Sequence, residues 1–248
     1  MTSVHLEVCV DTIEGAWIAA ENGADRIELC TALSEGGLTP SAGFMTAASR
    51  LPVPVFAMIR PRSGGFQYSD AEKTLMLRDI QTAEQAGLAG IAIGATSEQH
   101  ELDSPFLSTA LAGTKLPATL HRAFDTLRDP VAGVEEAVSL GFERILTSGQ
   151  AEKAEQGLDV LESVASRASG RISIMAGSGV SEDNAARILK VSAVNELHAS
   201  CSSPCAPLPS SAPEVHLGFL PSKGARLTNA IRVQALRTAI DQYLETAE

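Results

Sequence analysis

Residues 4–10 read VHLEVCV, and residues 25–30 read DRIELC. Both stretches are short and rich in aliphatic and β-branched residues, which is typical of buried β-strands. Six more such stretches follow, and each of the eight precedes a segment with helical spacing of its apolar residues. The predicted strands cover residues 4–10, 25–30, 53–60, 88–94, 117–122, 142–147, 171–176 and 193–198.

The spacing of these units indicates the fold. Eight strand–helix units in 248 residues average about 31 residues each, which is the period of a (β/α)8 barrel. An open, doubly wound sheet is the alternative, but the regular repetition without a change of pattern favours closure. We therefore predict an α/β protein with one TIM-barrel domain over residues 1–248.

One segment breaks the pattern. Residues 199–213 contain no charged residue and four of the twelve prolines, a composition that disfavours helices and strands. We predict a long Pro/Ser-rich loop over 199–226 without regular structure, followed by a last helix at about 229–244. The loop is expected to be a flexible surface segment, with a lid or an oligomer contact as the alternative.

Composition and charge exclude several classes of protein. The chain has 19 basic and 30 acidic residues, a net charge of −11, and is 44% hydrophobic, so it is expected to fold as a globular protein that binds neither nucleic acid nor anionic membranes. Neither a signal peptide nor a membrane-spanning stretch is recognisable, which predicts the cytoplasm. In that compartment the four cysteines are expected to be free thiols or ligands: Cys9, Cys30, Cys201 and Cys205.

Strand alternation predicts which side chains face the barrel axis. Because neighbouring residues on a strand point to opposite faces, the aliphatic residues face the helices and the residues between them face inward. The inward set near the carboxyl ends of the strands is Glu7, Cys9, Glu28, Cys30, Arg60, Thr119, His121, Glu196 and His198.

Three of these inward residues are carboxylates, and burying each without a partner would cost several kcal/mol, on the order of the penalty for a buried ion. Arg60, Arg122 and the two histidines are the expected counter-charges. Active sites of TIM barrels lie at this end of the barrel, so a site at the mouth is the favoured interpretation. An internal salt-bridge network that only stabilises the barrel is the alternative.

Several loops at the same end predict anion binding. Two arginines follow strand three, a serine follows strand six, and a Gly-Ser-Gly sequence ends strand seven. Glycines at the start of a helix let backbone N–H groups approach a phosphate, although a plain tight turn has the same signature. The predicted anion-binding residues are Arg60, Arg62, Ser148, Gly177 and Gly179.

Ordered motifs over residues 1–200 carry a family resemblance. They include LEVCVD at 6–11, GADRIELC at 23–30, EGGLTPS at 35–41, MIRPR at 58–62, HRAFD at 121–125, RILTSG at 144–149 and ELH at 196–198. With these motifs the chain resembles the CutC family, described as copper homeostasis proteins. The resemblance implies a cytoplasmic TIM barrel that forms a homo-oligomer and binds copper(I).

Two functions remain open from the sequence, with a non-catalytic scaffold as a less favoured third. Cys9 and Cys30 lie at matching ends of neighbouring strands, about 4.8 Å apart, and two thiolates suit the soft Cu(I) ion; two inert buried cysteines are the alternative. An enzyme of the lyase or isomerase type, acting on a small anionic or phosphorylated metabolite, would instead use acid, base and anion-binding groups. Its candidate catalytic residues are Glu7, Glu28, Arg60, His121, Asp125, Glu196 and His198.

The inward residues also limit the cofactor chemistry. No lysine is predicted at an inward strand end, so a Schiff-base mechanism is not expected. No organic cofactor is implied. The carboxylate and imidazole groups would also suit a divalent ion such as Mg²⁺, Mn²⁺ or Zn²⁺, and the partners expected are therefore a metal ion or a small anion.

Overall fold

The centre of the molecule is a closed barrel of eight parallel strands. The computed structural model describes residues 3–191, 194–206, 209–219 and 225–247. The strands pair in chain order, and the first strand pairs with both the second and the eighth, which confirms the predicted (β/α)8 barrel. The strands are β1 (His5–Val10), β2 (Arg26–Leu29), β3 (Val55–Ile59), β4 (Gly90–Ile93), β5 (Ala118–Leu120), β6 (Arg144–Thr147), β7 (Ser173–Gly177) and β8 (Val194–Ala199).

Helices surround the barrel and cover its outer, aliphatic face. They are α1 (Ile13–Glu21), α2 (Ala42–Ala48), α3 (Asp70–Gln85), α4 (Ser104–Ala112), α5 (Pro130–Leu140), α6 (Leu158–Ala168), α7 (Ala185–Leu189), α8 (Pro213–His216) and α9 (Ala230–Ala247), with short 3-10 helices at Leu33–Glu35, Arg122–Thr126 and Ala154–Gln156. The predicted last helix corresponds to α9. Within the described residues, none of the helices combines the length and apolarity that crossing a bilayer would need.

Local sequence signals set the helix ends. Ser69 and Glu72 form a capping box at the start of α3, in which each side chain bonds to the other residue's backbone N–H. At α5, the Asp129 side chain accepts from Ala132 N–H, and Gly141 ends the helix with φ of 89°. Glycine adopts this left-handed backbone conformation at little energetic cost, which allows the chain to leave the helix and turn toward β6.

The predicted Pro/Ser-rich loop contains regular structure, so that part of the prediction is wrong. A short strand, β9 (Ser202–Pro204), pairs antiparallel with β10 (Arg226–Thr228), and α8 lies between them. A two-stranded sheet consists of edges, where a proline without an N–H group is tolerated. Residues 207, 208 and 220–224 of the predicted loop, and residue 193 of the predicted eighth strand, lie outside the described residues.

A charged layer fills the middle of the barrel. The Arg26 guanidinium donates to Glu7 and to Glu196, and Arg144 Nε lies 3.3 Å from Glu196 Oε2. All four residues are buried, and the Phe56 ring packs 5.3 Å from Arg26 Cζ and 5.0 Å from Arg144 Cζ. The expected counter-charges Arg60 and Arg122 were therefore wrongly assigned to these two carboxylates, whereas His198 Nε2 lies 3.8 Å from Glu7 Oε1. Arg26 is in register with Glu7, so the strand pairing itself places the two charges together.

This layer makes Arg26 critical for stability. We expect Arg26→Met to lower the free energy of unfolding by about 3–5 kcal/mol, because it leaves two buried carboxylates without their main partner. Urea unfolding at pH 7 measures the change. The matched control is Arg128→Met, which breaks an exposed pair with Glu101 and should cost less than about 1 kcal/mol. Equal effects of the two substitutions would contradict this assignment.

Candidate active site

A cavity of about 800 Å³ opens at the carboxyl ends of the strands. Residues from the strand ends form its floor, and residues from the loops and from the β9–β10 hairpin form its walls. The polar and charged residues that line it are Cys9, Asp11, Glu28, Ser34, Arg60, His121, Arg122, Ser178, His198, Ser200, Ser202, Arg226 and Thr228. This is the end of the barrel at which the sequence predicts a site.

Strand pairing brings three different chemical groups together on the floor. Cys9 lies opposite Glu28 in the β1–β2 register, and His198 lies one residue before the end of β8. Their ligand atoms all lie within 4.8 Å of one another, and all three residues are buried. His198 Nε2 is 2.9 Å from Glu28 Oε2. Glycine at position 177 leaves room here, because a Cβ would lie 3.2 Å from His198 Cβ and 2.5 Å from Leu146.

Glu28 and His198 form a buried ion pair. Burial acts to raise the pKa of Glu28, but the charge of His198 and its hydrogen bond outweigh burial, so the pKa lies below its ordinary value. Burial acts to lower the pKa of His198, but the Glu28 carboxylate holds that pKa well above its ordinary value. At neutral pH the pair is therefore a carboxylate and an imidazolium. Glu28 Oε1 has no hydrogen-bond partner in the described part of the chain.

Cys30 is not the cross-strand partner of Cys9. The register pairs Cys9 with Glu28 and Val10 with Leu29, so Cys30 lies two residues beyond Glu28, just past the end of β2. This corrects the expectation that the two cysteines sit at matching ends. The Cys30 thiol donates to Glu28 Oε2 at 3.7 Å. Burial, followed by the charge of Glu28, raises the pKa of Cys30 well above its ordinary value, so its sulfur stays protonated in this state.

His121 follows β5 and lines the cavity. Its Nδ1 accepts a hydrogen bond of 3.1 Å from Ala123 N–H, whereas Nε2 is buried without a partner among the described residues. Burial, opposed by the charge of Glu28 and assisted by the charge of Arg60, lowers the pKa of His121 to about 4. The imidazole is therefore neutral at pH 7. A Cβ at Gly94 would lie 2.8 Å from this ring, so position 94 requires glycine.

Arg60 is held by backbone carbonyls. Its Nη1 donates to Glu35 O at 3.0 Å and Gly37 O at 3.1 Å, and its Nη2 donates to Gly64 O at 2.8 Å. Its Nε has no partner within the residues that the structure describes. Carbonyl dipoles orient the guanidinium without neutralising it, so its positive charge acts on the cavity.

Arg122 reaches the cavity from the loop after β5. Its Nε donates to Asp125 Oδ2 at 2.7 Å, and its Nη2 donates to Ser148 Oγ at 2.8 Å. Asp125 also accepts from Thr147 Oγ1 and from Ser148 N–H. Asp125 and Ser148, predicted as catalytic and anion-binding residues, thus hold Arg122 in position rather than line the cavity themselves.

The remaining predicted residues lie elsewhere. Glu7 and Glu196 belong to the charged layer below the floor, and Arg62 bonds to Glu72 at the start of α3. Gly177 is the last residue of β7, and Gly179 lines the cavity, but the helix expected directly after them, α7, begins only at Ala185. The structure therefore does not bring Gly179 to a helix N-terminus.

Sequence reasoning missed two sets of residues. Arg26 and Arg144 face the barrel interior, and the alternation that turns Glu28 inward also turns Arg26 inward, so that signal was available. Phe219 and Arg226 line the mouth, and they come from a segment predicted as an unstructured loop. Nothing in the local sequence indicates that this segment folds back over the barrel.

Comparison with known proteins identifies the family. The family model described as the CutC family matches residues 4–203. The chain belongs to the CutC family. A family protein CutC from Sinorhizobium medicae is 47% identical over 248 residues, which cover 97% of this chain and 98% of the relative. The human copper homeostasis protein cutC homolog is 45% identical over 200 residues, which cover 80% of this chain and 73% of that protein.

Solved structures agree with the family and the fold. The crystal structure of CutC from Streptococcus agalactiae has a TM-score of 0.76 at 30% identity, and it covers 79% of this chain and 98% of that one. Thiamine phosphate pyrophosphorylase from Pyrococcus furiosus, at 15% identity and a TM-score of 0.58, shares the barrel fold alone. The predicted resemblance to the CutC family is confirmed.

The buried, neutral His121 predicts a pH dependence of stability. Its pKa is about 4 in the folded CutC-family chain and about 6.5 when unperturbed. Between these values the unfolded chain binds a proton that the folded chain does not, so the free energy of unfolding falls as pH falls. The slope approaches about 1.4 kcal/mol per pH unit, and urea unfolding at several pH values measures it.

The variant His121→Asn isolates this contribution, because asparagine can still accept from Ala123 N–H but does not titrate. We expect a shallower slope between pH 6.5 and 4. The exposed His100 provides the control, His100→Asn, which should leave the slope unchanged. An unchanged slope in His121→Asn would contradict the neutral state.

Proposed function

We propose that this chain is an enzyme that binds a small anionic metabolite at the barrel mouth and transfers a proton with Glu28 and His198. The observation that carries the proposal is the unpartnered Glu28 Oε1, part of a buried ion pair on the floor of a cavity of about 800 Å³. A carboxylate held ionised and free on one oxygen is suited to act as a general base. The imidazolium beside it is suited to act as a general acid.

The charge of the cavity favours an anionic substrate. Three guanidinium groups line it, those of Arg60, Arg226 and Arg122, the last paired with Asp125 behind it, against the two lining carboxylates of Asp11 and Glu28. The protonated His198 adds a further positive charge. The charged groups that line the cavity are thus mainly positive, although the chain as a whole carries a net charge of −11. Guanidinium groups bind phosphate and carboxylate oxygens well.

A second candidate function is metal binding, which Cys9, Glu28 and His198 favour by their proximity. A thiolate, an imidazole and a carboxylate form a mixed set that suits Zn²⁺ and accepts copper. The human relative is named a copper homeostasis protein, and copper(I) would be a cargo here. The narrower hypothesis, a Cys9–Cys30 copper(I) site in a cytoplasmic homo-oligomer, requires Cys30 to lose the proton that it shares with Glu28.

Ligand binding tests the first proposal. A thermal-shift screen of small phosphorylated and carboxylated metabolites should reveal ligands that stabilise the wild-type protein. Arg122→Gln should weaken a hit about 10-fold or more, since a charge-assisted hydrogen bond contributes roughly 1.5–3 kcal/mol. Glu28→Gln should retain binding and lose turnover. The surface variant Arg128→Gln is the control, and a screen in which no anion stabilises the wild type would reject the proposal.

Metal competition separates the two metal hypotheses. If Cys9, Glu28 and His198 form the site, Cys9→Ser and His198→Gln should lose stoichiometric Zn²⁺ and Cu(I) binding in competition with a chromophoric chelator, whereas Cys30→Ser should retain it. If the two thiols form the site, Cys30→Ser should lose Cu(I) as completely as Cys9→Ser does. A wild-type protein that competes no better than the Cys9→Ser/Cys30→Ser double variant would contradict both.

A further inference from the structure

Three residues that line the cavity each have a buried polar atom without a hydrogen-bond partner in the described part of the chain. The atoms are Glu28 Oε1, Arg60 Nε and His121 Nε2. A buried polar group without a partner costs about 1–3 kcal/mol, so such groups are rare unless a ligand or water satisfies them. Three of them around one cavity indicate a ligand with a matching pattern of polar atoms.

The hydrogen-bonding roles of the three atoms follow from their neighbours. Ala123 N–H donates to His121 Nδ1, so Nδ1 carries no proton and the ring proton sits on Nε2. Arg60 Nε–H is a donor in every state. Glu28 is ionised by its pairing with His198, so Oε1 is an acceptor. The ligand therefore meets two donors and one proton acceptor.

Phe66 connects the two donors. Its ring centroid lies 5.2 Å from that of His121 and 5.1 Å from Arg60 Cζ. The two donor side chains also pack closely against glycines. A Cβ at Gly36 would lie 3.0 Å from Arg60 Nη1, and a Cβ at Gly94 would lie 2.8 Å from the His121 ring. Packing thus fixes both donors before a ligand binds, which is the condition for effective electrostatic stabilisation.

We propose that His121 Nε2–H and Arg60 Nε–H bind the carbonyl oxygen of a small anionic ketone or aldehyde, and that Glu28 Oε1 removes a proton from the carbon next to that carbonyl. This inference rests on the proposed function and specifies its substrate class. A neutral imidazole donor is suited to an uncharged carbonyl oxygen, and its hydrogen bond strengthens as negative charge develops there.

The step balances without a co-reactant. The C–H bond breaks, its proton goes to Glu28 Oε1, and its electron pair forms a C=C bond. The π electrons of the carbonyl move to its oxygen, which becomes an enolate oxygen held by the two donors. Exchange of the Glu28 proton with solvent, followed by return of a proton from Glu28 to the same carbon, regenerates the carbonyl and completes a hydrogen exchange with solvent. No electron leaves the substrate, so neither an oxidant nor a reductant is needed.

The alternative is that the two donors bind a phosphate or hydroxyl oxygen and take no part in proton transfer. Matched probes separate the two cases: dihydroxyacetone phosphate against glycerol 3-phosphate, and pyruvate against lactate. Each pair shares its anionic group and differs in whether a carbonyl is present. Binding by the full-length protein is measured by calorimetry, and loss of the C–H signal next to the carbonyl is followed by proton NMR in deuterium oxide.

The expected result is that the wild-type protein binds at least one carbonyl probe about 10-fold more tightly than its alcohol partner and exchanges its C–H for deuterium. Glu28→Gln should stop the exchange. His121→Asn should slow exchange about 100- to 1000-fold, the usual effect of losing one such donor, and should abolish the preference for the carbonyl. His121→Gln, which can place an amide donor near the same point, should restore part of both, and it provides a second variant if His121→Asn folds poorly.

Two outcomes would overturn the inference, and they are distinguishable. Equal binding of carbonyl and alcohol probes, or exchange that is insensitive to His121→Asn but lost in Glu28→Gln, removes the carbonyl-binding role and leaves the proposed function in place. If none of the four probes binds and none exchanges, the proposed substrate class is wrong. If the metabolite screen also gives no hit, the proposed function is wrong as well.

Discussion

The structure depends on one buried interaction, the bridge from Arg26 to Glu7 and Glu196. These residues lie on β2, β1 and β8, the three strands at which the barrel closes, so one guanidinium joins the first and last strands of the ring. The two carboxylates can be buried because Arg26 and Arg144 together balance their charges. TIM-barrel interiors are usually filled with branched aliphatic residues, whereas this charged layer engages two arginines, Arg26 and Arg144, below the floor of the cavity.

The charged layer affects the pairing of Glu28, which lies one layer higher, at the floor of the cavity. Arg26 is engaged below, and the partner within reach of Glu28 is His198. The pair sits in a buried environment where its charges interact more strongly than in water, which keeps both groups ionised at neutral pH. The arginines around the mouth are in turn held by carbonyls, by Asp125 and by Ser202, so their charges point at the cavity without meeting Glu28 directly.

Much of this arrangement could be predicted from sequence, because it follows from the two-residue period of strands and the regular length of the units. Glu28, His121 and His198 were placed correctly at the inner mouth for that reason. Strand register was not predictable in the same way: whether Cys9 faces Glu28 or Cys30 depends on the stagger of neighbouring strands, which no local pattern records. The hairpin that brings Arg226 over the mouth depends on pairing across more than twenty residues, and its composition argues against any strand at all.

The metal and enzyme hypotheses compete for the same carboxylate. A metal held by Cys9, Glu28 and His198 would withdraw charge from the carboxylate that accepts a proton in the proposed reaction, and it would displace the proton of His198 that makes the pair an acid and a base. Metal binding would also affect Cys30, because its thiol donates a hydrogen bond to Glu28 and would lose that bond. Metal binding at this site and proton transfer by this pair therefore exclude one another. If the proposed reaction is correct, a copper ion bound there would inhibit it, so a link between this family and copper does not require that copper be the cargo.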